Sequence, residues 1–130
     1  MTSMTLTTMP LIYVAGPFRA ENAYEIEKNI RDAEDIGLAI CEYGGVAVIP
    51  HTMYRFFQGA LPDEFWLNAT LDILRRCDAI AMLPNWKASQ GARGEHALAK
   101  KLGLPIFETP NEFGALKHWI DQWKNLPGVV

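Results

Sequence analysis

The stretch Leu11-Ile12-Tyr13-Val14-Ala15-Gly16-Pro17 is a short apolar run with β-branched residues, and it stops at a glycine and a proline. An apolar run without alternation predicts a strand that is buried on both faces, as in parallel sheets. Three further runs of this kind follow along the chain, at Val46–Ile49, Ala79–Leu83 and Leu104–Phe107. The sequence therefore predicts four buried strands.

Amphipathic segments lie between these strands and after the last one. Apolar residues recur at steps of three and four from Ile26 to Ile40, which predicts a helix that ends before Gly44. The same pattern predicts helices between Pro62 and Arg76 with the apolar stripe Phe65, Leu67, Leu71 and Leu74, over Gly91–Leu102, and around Phe113, Leu116, Ile120 and Trp123. Strands that alternate with helices through right-handed crossovers predict a doubly wound α/β fold, with a parallel sheet and helices on both faces.

Composition indicates one soluble globular domain over residues 1–130. The chain is 49% hydrophobic and 21% charged, and its net charge of -3 gives no basic excess to bind a phosphate backbone. We therefore expect no duplex nucleic acid as a partner. No apolar stretch approaches the roughly 20 residues that cross a bilayer, so we expect no membrane segment.

The termini and the cysteines point to a cytoplasmic protein. Met1–Pro10 has neither a basic region nor a long apolar run, so it is predicted to be a flexible lead-in rather than a signal peptide. Cys41 and Cys77 lie far apart and form no CxxC motif or Cys/His cluster. We expect two reduced, buried thiols and neither a metal nor another cofactor.

Parallel strands place their carboxyl ends at one edge of the sheet, where ligands bind beside the point at which strand order reverses. The segments that follow the first three strands are Gly16–Arg19, His51–Tyr54 and Asn85–Glu95. We expect these three segments to converge on one site.

The third segment carries the strongest candidates. Gly91 and Gly94 stand at the start of a predicted helix, where free N–H groups favour an anion, although such glycines also serve simply to make a turn. The spacing matches neither the P-loop nor the dinucleotide fingerprint. Glu95 falls near the first turn, where the helix dipole would keep its carboxylate ionised and suited to be a nucleophile, although acidic residues are common there.

The remaining candidates have two interpretations each. His51 either contacts a base or a proton at the site, or is a solvated loop residue. Phe18 and Trp86 could sandwich a base between aromatic faces, or Trp86 covers the loop or joins an interface. Asp78, at the opposite end of its strand, is expected to be a structural cap.

Four motifs that stand in order along the chain carry a resemblance to a known family: Ile12-Tyr13-Val14-Ala15-Gly16-Pro17, Arg76-Cys77-Asp78-Ala79-Ile80, Leu83-Pro84-Asn85-Trp86 and Ser89-x-Gly91-Ala92-Arg93-x-Glu95. From about Leu11 to Phe107 the chain resembles the nucleoside 2-deoxyribosyltransferase-like superfamily. The similarity is to its small phage and bacterial branch, which is similar to the 2'-deoxynucleoside 5'-phosphate N-hydrolases. The resemblance implies a five-stranded flavodoxin-like sheet, a homodimer or higher homo-oligomer, and cleavage of the N-glycosidic bond of a nucleoside or nucleotide.

The same resemblance implies roles for individual residues. Glu95 takes the place of the attacking glutamate, Tyr13 that of the tyrosine that orients it, and Arg19 and Ser89 those of the phosphate ligands. Pro17 departs from the pattern, because the hydrolases usually have a hydroxyl residue there. Thr70 departs as well, because many relatives have an aspartate that assists catalysis there. Asp72 is the nearest carboxylate, but two residues along a helix turn a side chain by roughly 200°.

The sequence thus predicts hydrolysis of the N-glycosidic bond of a (deoxy)nucleoside 5'-monophosphate. A nucleoside 2-deoxyribosyltransferase and a non-catalytic nucleotide-binding module are the alternatives. The expected catalytic residues are Glu95, Tyr13 and Asp72. The expected substrate-binding residues are Gly16, Phe18, Arg19, His51, Trp86, Ser89 and Gly91.

Overall fold

The computed structural model describes residues 8–57 and 59–124, and these contain a four-stranded parallel sheet. The strand order is β2-β1-β3-β4. The strands are β1 (Leu11–Ala15), β2 (Val46–Val48), β3 (Ala79–Met82) and β4 (Ile106–Glu108). The prediction of a doubly wound, flavodoxin-like α/β fold is confirmed, while the described residues contain four strands rather than the implied five.

β1 has the predicted bounds, β2 and β3 each end one residue before the predicted end, and β4 is shifted toward the carboxyl terminus. The predicted strand began at Leu104, whereas pairing begins two residues later, at Ile106. Pro105 has no N–H to donate to a ladder, although its carbonyl accepts a hydrogen bond from the amide of Ile80 at 3.0 Å. The proline therefore marks the strand's beginning.

Five α-helices accompany the sheet in the part of the chain that the structure describes: α1 (Ala23–Glu42), α2 (Pro50–Met53), α3 (Asp63–Leu74), α4 (Gln90–Leu102) and α5 (Phe113–Lys124). Ser89 caps α4 by accepting a hydrogen bond from the amide of Ala92 at 3.1 Å, and α4 ends at Gly103, whose φ of 74° is left-handed. The short α2 was expected to be a loop. Pro50 stands at its first position, which suits a residue with no N–H and a fixed φ.

The core has two layers, one on each face of the sheet. On one face, Ile12 and Val14 of β1 pack with the buried residues of α1 and α5, including Ile40 and Ile120. On the other face, Tyr13 and Ala15 pack with buried residues of α3 and α4, including Leu74, Ala92 and Ala99. Tyr13 therefore faces α4 because side chains alternate along a strand.

The predicted apolar stripe of α3 is buried only at its carboxyl end. Leu74 is fully buried, whereas Phe65 and Leu67 are 49% and 45% exposed. The helix packs chiefly against α4, so its amino-terminal half stays at the surface. The predicted stripe is therefore divided, with Leu74 in the core and with Phe65 and Leu67 at the surface.

The expectation of two buried thiols is confirmed for Cys77 and wrong for Cys41, which is exposed near the end of α1.

Residues 1–7 of the predicted lead-in lie outside the described residues, whereas residues 8–10 have no regular secondary structure but are joined to the folded chain at Thr8 and Pro10. Pro10 is buried, and its carbonyl accepts a hydrogen bond from the amide of Val46 at 2.9 Å. The indole N–H of Trp123 donates to the carbonyl of Thr8 at 3.1 Å. These contacts fix the start of β1 against β2 and α5.

Asp78 has the expected structural role at the amino end of the sheet. Its carboxylate accepts a hydrogen bond from the amide of Leu11 at 2.8 Å, which ties the loop before β3 to the start of β1. Within the described ranges, no helix combines the length and the hydrophobicity that crossing a bilayer requires.

Candidate functional site

A cavity of about 360 Å³ opens at the carboxyl ends of β1, β2 and β3. This volume lies within the range of pockets for small molecules. The predicted convergence of the three segments is confirmed, because each of them lines the cavity. The lining consists of Tyr13, residues 16–19, Pro50, His51, Tyr54, Trp66, Leu67, Thr70, residues 88–92 and Glu95.

The floor of the cavity is a buried pair, Tyr13 of β1 and Glu95 of α4. Tyr13 is 1% exposed and Glu95 is 9% exposed. Ala92, Glu95 and Ala99 share one face of α4, and that face packs on the sheet, which brings the carboxylate under the cavity. The phenol of Tyr13 donates a hydrogen bond to Oε2 of Glu95.

Burial controls the ionisation of both groups. It raises the pKa of Glu95 to about 7, although the hydrogen bond from Tyr13 acts in the opposite direction. It also raises the pKa of Tyr13 well above its usual value, and the adjacent Glu95 adds to this effect. Tyr13 is therefore a hydrogen-bond donor at neutral pH, and Glu95 is divided between its neutral and ionised forms.

The expectation that the helix dipole keeps Glu95 ionised is wrong. Glu95 is the sixth residue of α4, in its second turn, whereas the dipole effect falls off within the first turn. Loss of hydration on burial is the larger effect here. The structure thus gives the carboxyl group a pKa near neutrality, so the ionised form that could act as a nucleophile is present at pH 7.

Thr70 lines the cavity from α3, and Asp72 does not. The hydroxyl of Thr70 donates to the carbonyl of Leu67 at 3.0 Å and also interacts with the phenol of Tyr13. Asp72 points to solvent, where it forms an ion pair with Arg75. The predicted catalytic role of Asp72 is therefore corrected, because the helix directs its carboxylate away from the cavity.

Arg19 and the start of α4 form the polar part of the lining. Arg19 forms a two-point ion pair with Asp63 of α3, at 2.6 and 2.7 Å, and both side chains are more than half exposed. The amides of Gln90 and Gly91 lie in the first turn of α4, so they have no partner within the helix. These amides, the hydroxyl of Ser89 and the guanidinium of Arg19 can all donate to an anion.

His51 lines the cavity, but its N–H is already used within the chain. Nε2 lies 3.1 Å from the carbonyl of Gly16 and 2.9 Å from that of Pro17, so it carries the proton and donates to both. Nδ1 is buried and has no hydrogen-bond partner among the described residues. Burial lowers the pKa of the imidazole, so it is neutral and fixes the turn rather than offering a proton to a ligand.

The turn that His51 fixes also requires its glycine. A Cβ at Gly16 would lie 2.8 Å from Cδ1 of Leu83, which is too close for a real contact. Phe18, next along this turn, lines the cavity as predicted, with its ring centre 6.0 Å from that of His51.

Trp86 does not line the cavity, so the prediction that it stacks on a base is corrected. Its ring is buried and stacks on His96, with centres 4.2 Å apart and planes inclined by 17°. Its indole N–H donates to Glu108 at 3.0 Å. The three-residue 3₁₀ turn from Trp86 to Ala88 folds the indole against the protein, which matches the alternative in which it covers the loop.

One aromatic residue of the lining, Trp66, was missed in the sequence, because it falls beside the expected stripe of α3 rather than on it. Tyr54 lies in the predicted segment His51–Tyr54, although it is not among the expected substrate-binding residues. Trp66 and Thr70 are four residues apart, so they share one face of α3. That spacing was the signal from which Trp66 could have been found.

Within the described residues, no group of three or more histidine, cysteine, aspartate or glutamate side chains could hold a metal ion.

Comparison with known proteins gives a family for this chain. No curated protein matches the chain. The family profile described as "Domain of unknown function (DUF4406)" matches residues 10–108, which is most of the chain. The matched range includes Tyr13, Glu95 and every other residue of the cavity lining. Because the profile covers most of its length, the chain belongs to the DUF4406 family.

Proposed function

We propose that this protein hydrolyses the N-glycosidic bond of a (deoxy)nucleoside 5'-monophosphate, with Glu95 as the nucleophile. The observation that carries the proposal is the buried Tyr13–Glu95 pair at the floor of a cavity of nucleotide size. A buried carboxylate that is oriented by a neutral donor is suited to attack an anomeric carbon.

In the proposed reaction, the Tyr13 hydrogen bond holds Oε2 of Glu95, and Oε1 attacks C1' of the sugar. The C1'–N bond breaks and its electron pair goes to the base nitrogen, which takes a proton from solvent. A water molecule then attacks C1' and gives up one proton to solvent, the bond from C1' to Glu95 breaks with its electron pair going to the carboxylate, and the ionised Glu95 is restored. The products are a free base and a sugar 5-phosphate.

The polar lining supports a phosphate on the substrate. Arg19, Ser89 and the first amides of α4 supply a positive charge and several donors near one another. Gly91 precedes Glu95 by one helical turn, about 6 Å along the axis, which suits the span from the anomeric carbon to the 5'-phosphate. The Arg19–Asp63 ion pair is exposed, and exposed pairs contribute little, so a phosphate dianion can displace Asp63.

Incubation with deoxynucleoside and ribonucleoside 5'-monophosphates, followed by chromatography for free base, tests the proposal. We expect free base and sugar 5-phosphate in equal amounts. Formation of a new nucleoside or nucleotide when a second base is added would favour the transferase instead. Tight binding of nucleotides without any product would favour the binding module and contradict the proposal.

Arg19→Ala is expected to lower kcat/KM for a nucleotide by about tenfold to a hundredfold, because charged hydrogen bonds contribute about 1.5–3 kcal/mol. The nucleoside that lacks the phosphate should react equally poorly with both proteins. Arg31→Ala is the matched control, since Arg31 is exposed and paired with Glu34 outside the cavity. An equal effect of Arg19→Ala on nucleotide and nucleoside would place the phosphate elsewhere.

We also propose that the protein is a homodimer in which a partner covers the outer aromatic residues. Phe56 and Phe57 are 84% and 52% exposed, and the rings of Phe57 and of the exposed Phe65 both contact Trp66 of α3. Exposed apolar groups of this size mark interaction surfaces. Light scattering should give twice the 14.6 kDa mass of one chain, and Phe56→Ser with Phe57→Ser should shift the protein toward the monomer. An active wild-type monomer at micromolar concentration would contradict this.

A further inference from the structure

Two aromatic rings, Tyr54 and Trp66, form one side of the cavity, and we call them the aromatic wall. Their ring centres are 5.0 Å apart with planes inclined by 45°. Phe57 and Phe65 contact the indole as well, with ring centres 6.1 and 4.9 Å from it. These contacts hold the indole in one orientation before any ligand binds.

The polar atom of the indole is not available to a ligand. The N–H of Trp66 donates to the carbonyl of Leu61 at 3.2 Å. Trp66 therefore presents to the cavity a carbon surface with a π system and no free donor. A flat aromatic group is the ligand chemistry that such a surface favours.

The aromatic wall lies about one helical turn from the floor of the cavity, far enough to contact a base whose sugar lies at Glu95. Trp66 precedes Thr70 by one turn of α3, about 6 Å along the axis, and Thr70 interacts with the phenol of Tyr13 beside Glu95. The donors of Ser89, Gln90 and Gly91 come from a different helix, α4. A ligand with its anomeric carbon at Glu95 thus has separate places for a phosphate and for a planar base.

We propose that the aromatic wall is the base subsite, and that it selects purine over pyrimidine nucleotides by stacking area rather than by hydrogen bonds. This inference rests on the proposed function, since it names the base of the same substrate. Stacking accepts every base because each has a π face, and preferences follow from the strength of the stack. The larger purine overlaps the indole more than a pyrimidine does, so it binds more tightly.

Calorimetry on the Glu95→Gln protein, which prevents turnover, tests the inference with three ligands: a purine deoxynucleotide, a pyrimidine deoxynucleotide and 2-deoxyribose 5-phosphate. We expect Trp66→Leu to weaken purine nucleotide binding by about tenfold or more. The same substitution should change the affinity for 2-deoxyribose 5-phosphate by no more than about twofold, because this ligand has no base to stack on the indole. Trp66→Phe should recover most of the loss, and the preference for purine should shrink in Trp66→Leu.

Phe56→Leu is the matched control for the outer surface. Phe56 is more exposed than Trp66, stands next in sequence to Phe57, which contacts the indole, and does not line the cavity, so its replacement should leave all three affinities unchanged. Equal losses in Phe56→Leu and Trp66→Leu would show that Trp66 acts through an interface and would overturn the inference. So would an equal loss for nucleotide and sugar phosphate, or no loss for either.

The remaining outcomes separate this inference from the proposed function. If nucleotide binding depends on Trp66 but the wild-type protein releases no free base, the base subsite is supported and the proposed hydrolysis is contradicted. If free base is released without any dependence on Trp66, the hydrolysis is supported and the base subsite is contradicted. If the sugar phosphate binds too weakly to measure, recovery in Trp66→Phe supports the inference, and its absence overturns it. Failure of the Glu95→Gln and wild-type proteins to bind any nucleotide overturns it as well.

Discussion

Glu95→Gln is expected to lower kcat for base release by about a thousandfold or more, because removal of a nucleophile leaves only binding and positioning to accelerate a reaction. Glutamine keeps the size of the side chain and a carbonyl oxygen that accepts the Tyr13 hydrogen bond. The fold and the affinity for nucleotides should therefore remain. Single-turnover assays with chromatography of the free base measure the effect.

Glu42→Gln is the matched control for the loss of one carboxylate. Glu42 is exposed at the end of α1, far from the lining, so this variant should keep the activity of the wild-type protein. The pH profile gives a second readout. The ionised form of Glu95 attacks, so kcat/KM should rise with pH and level off above about 7. Activity of Glu95→Gln within tenfold of the wild type would remove Glu95 from the role of nucleophile.

Stability should fall as pH rises from about 4.5 to above 7, and Glu95 is the reason. In the unfolded chain this carboxyl group has its ordinary pKa of 4.5, whereas in the folded chain the pKa is about 7. Between these values the folded state binds more protons, so the free energy of unfolding decreases with increasing pH. A difference of one in pKa corresponds to about 1.4 kcal/mol, so the decrease attributable to Glu95 is about 3 kcal/mol.

Urea unfolding of wild type and Glu95→Gln at a series of pH values measures this decrease. Glutamine does not titrate, so the difference between the two proteins should grow in favour of Glu95→Gln as pH rises through 7. Below pH 4.5 the two should be similar, because the wild-type carboxyl group is then neutral in both states. A constant difference across the whole range would mean that Glu95 has the same pKa in the folded and unfolded states.

The strands and most helices were predictable because their signals are local. Leu11–Ala15 is apolar throughout and ends at Gly16, and β1 has those bounds in the structure. Ser89 and Gly103 bound α4 through a cap and a left-handed residue, which depend only on nearby chain. The alternation of strands and helices then predicts a parallel sheet. In such a sheet Tyr13 and Glu95 are expected at the same edge, even though their contact is not visible in the sequence.

The aromatic residues of the site were not predictable in this way. Trp86 and Trp66 both stand near the expected cavity, and only the direction of each side chain separates them. A three-residue 3₁₀ turn folds Trp86 against His96, and the surface exposure of α3 leaves Trp66 at the cavity. Both features depend on tertiary packing, which overrides local pattern. His51 is similar, since its partners Gly16 and Pro17 are far away in the sequence.

The ionisation of Glu95 also depended on information outside its own helix. The sequence showed a carboxylate near the start of α4, which suggests stabilisation of the charge. The structure adds the sheet beneath it, and loss of hydration reverses the direction of the pKa shift.

The central position of β1 has a consequence for local unfolding. Tyr13 pairs with Val48 of β2 on one side and with Ile80 of β3 on the other, so its backbone is protected by both neighbours. Trp66 and Arg19 lie on partly exposed segments whose amides can exchange with solvent through small openings. We therefore expect the amide hydrogens around Tyr13 to exchange only when the sheet opens. The backbone that carries Tyr13 should thus open only with global unfolding, while the segments that carry Arg19 and Trp66 can rearrange around a ligand without unfolding the sheet.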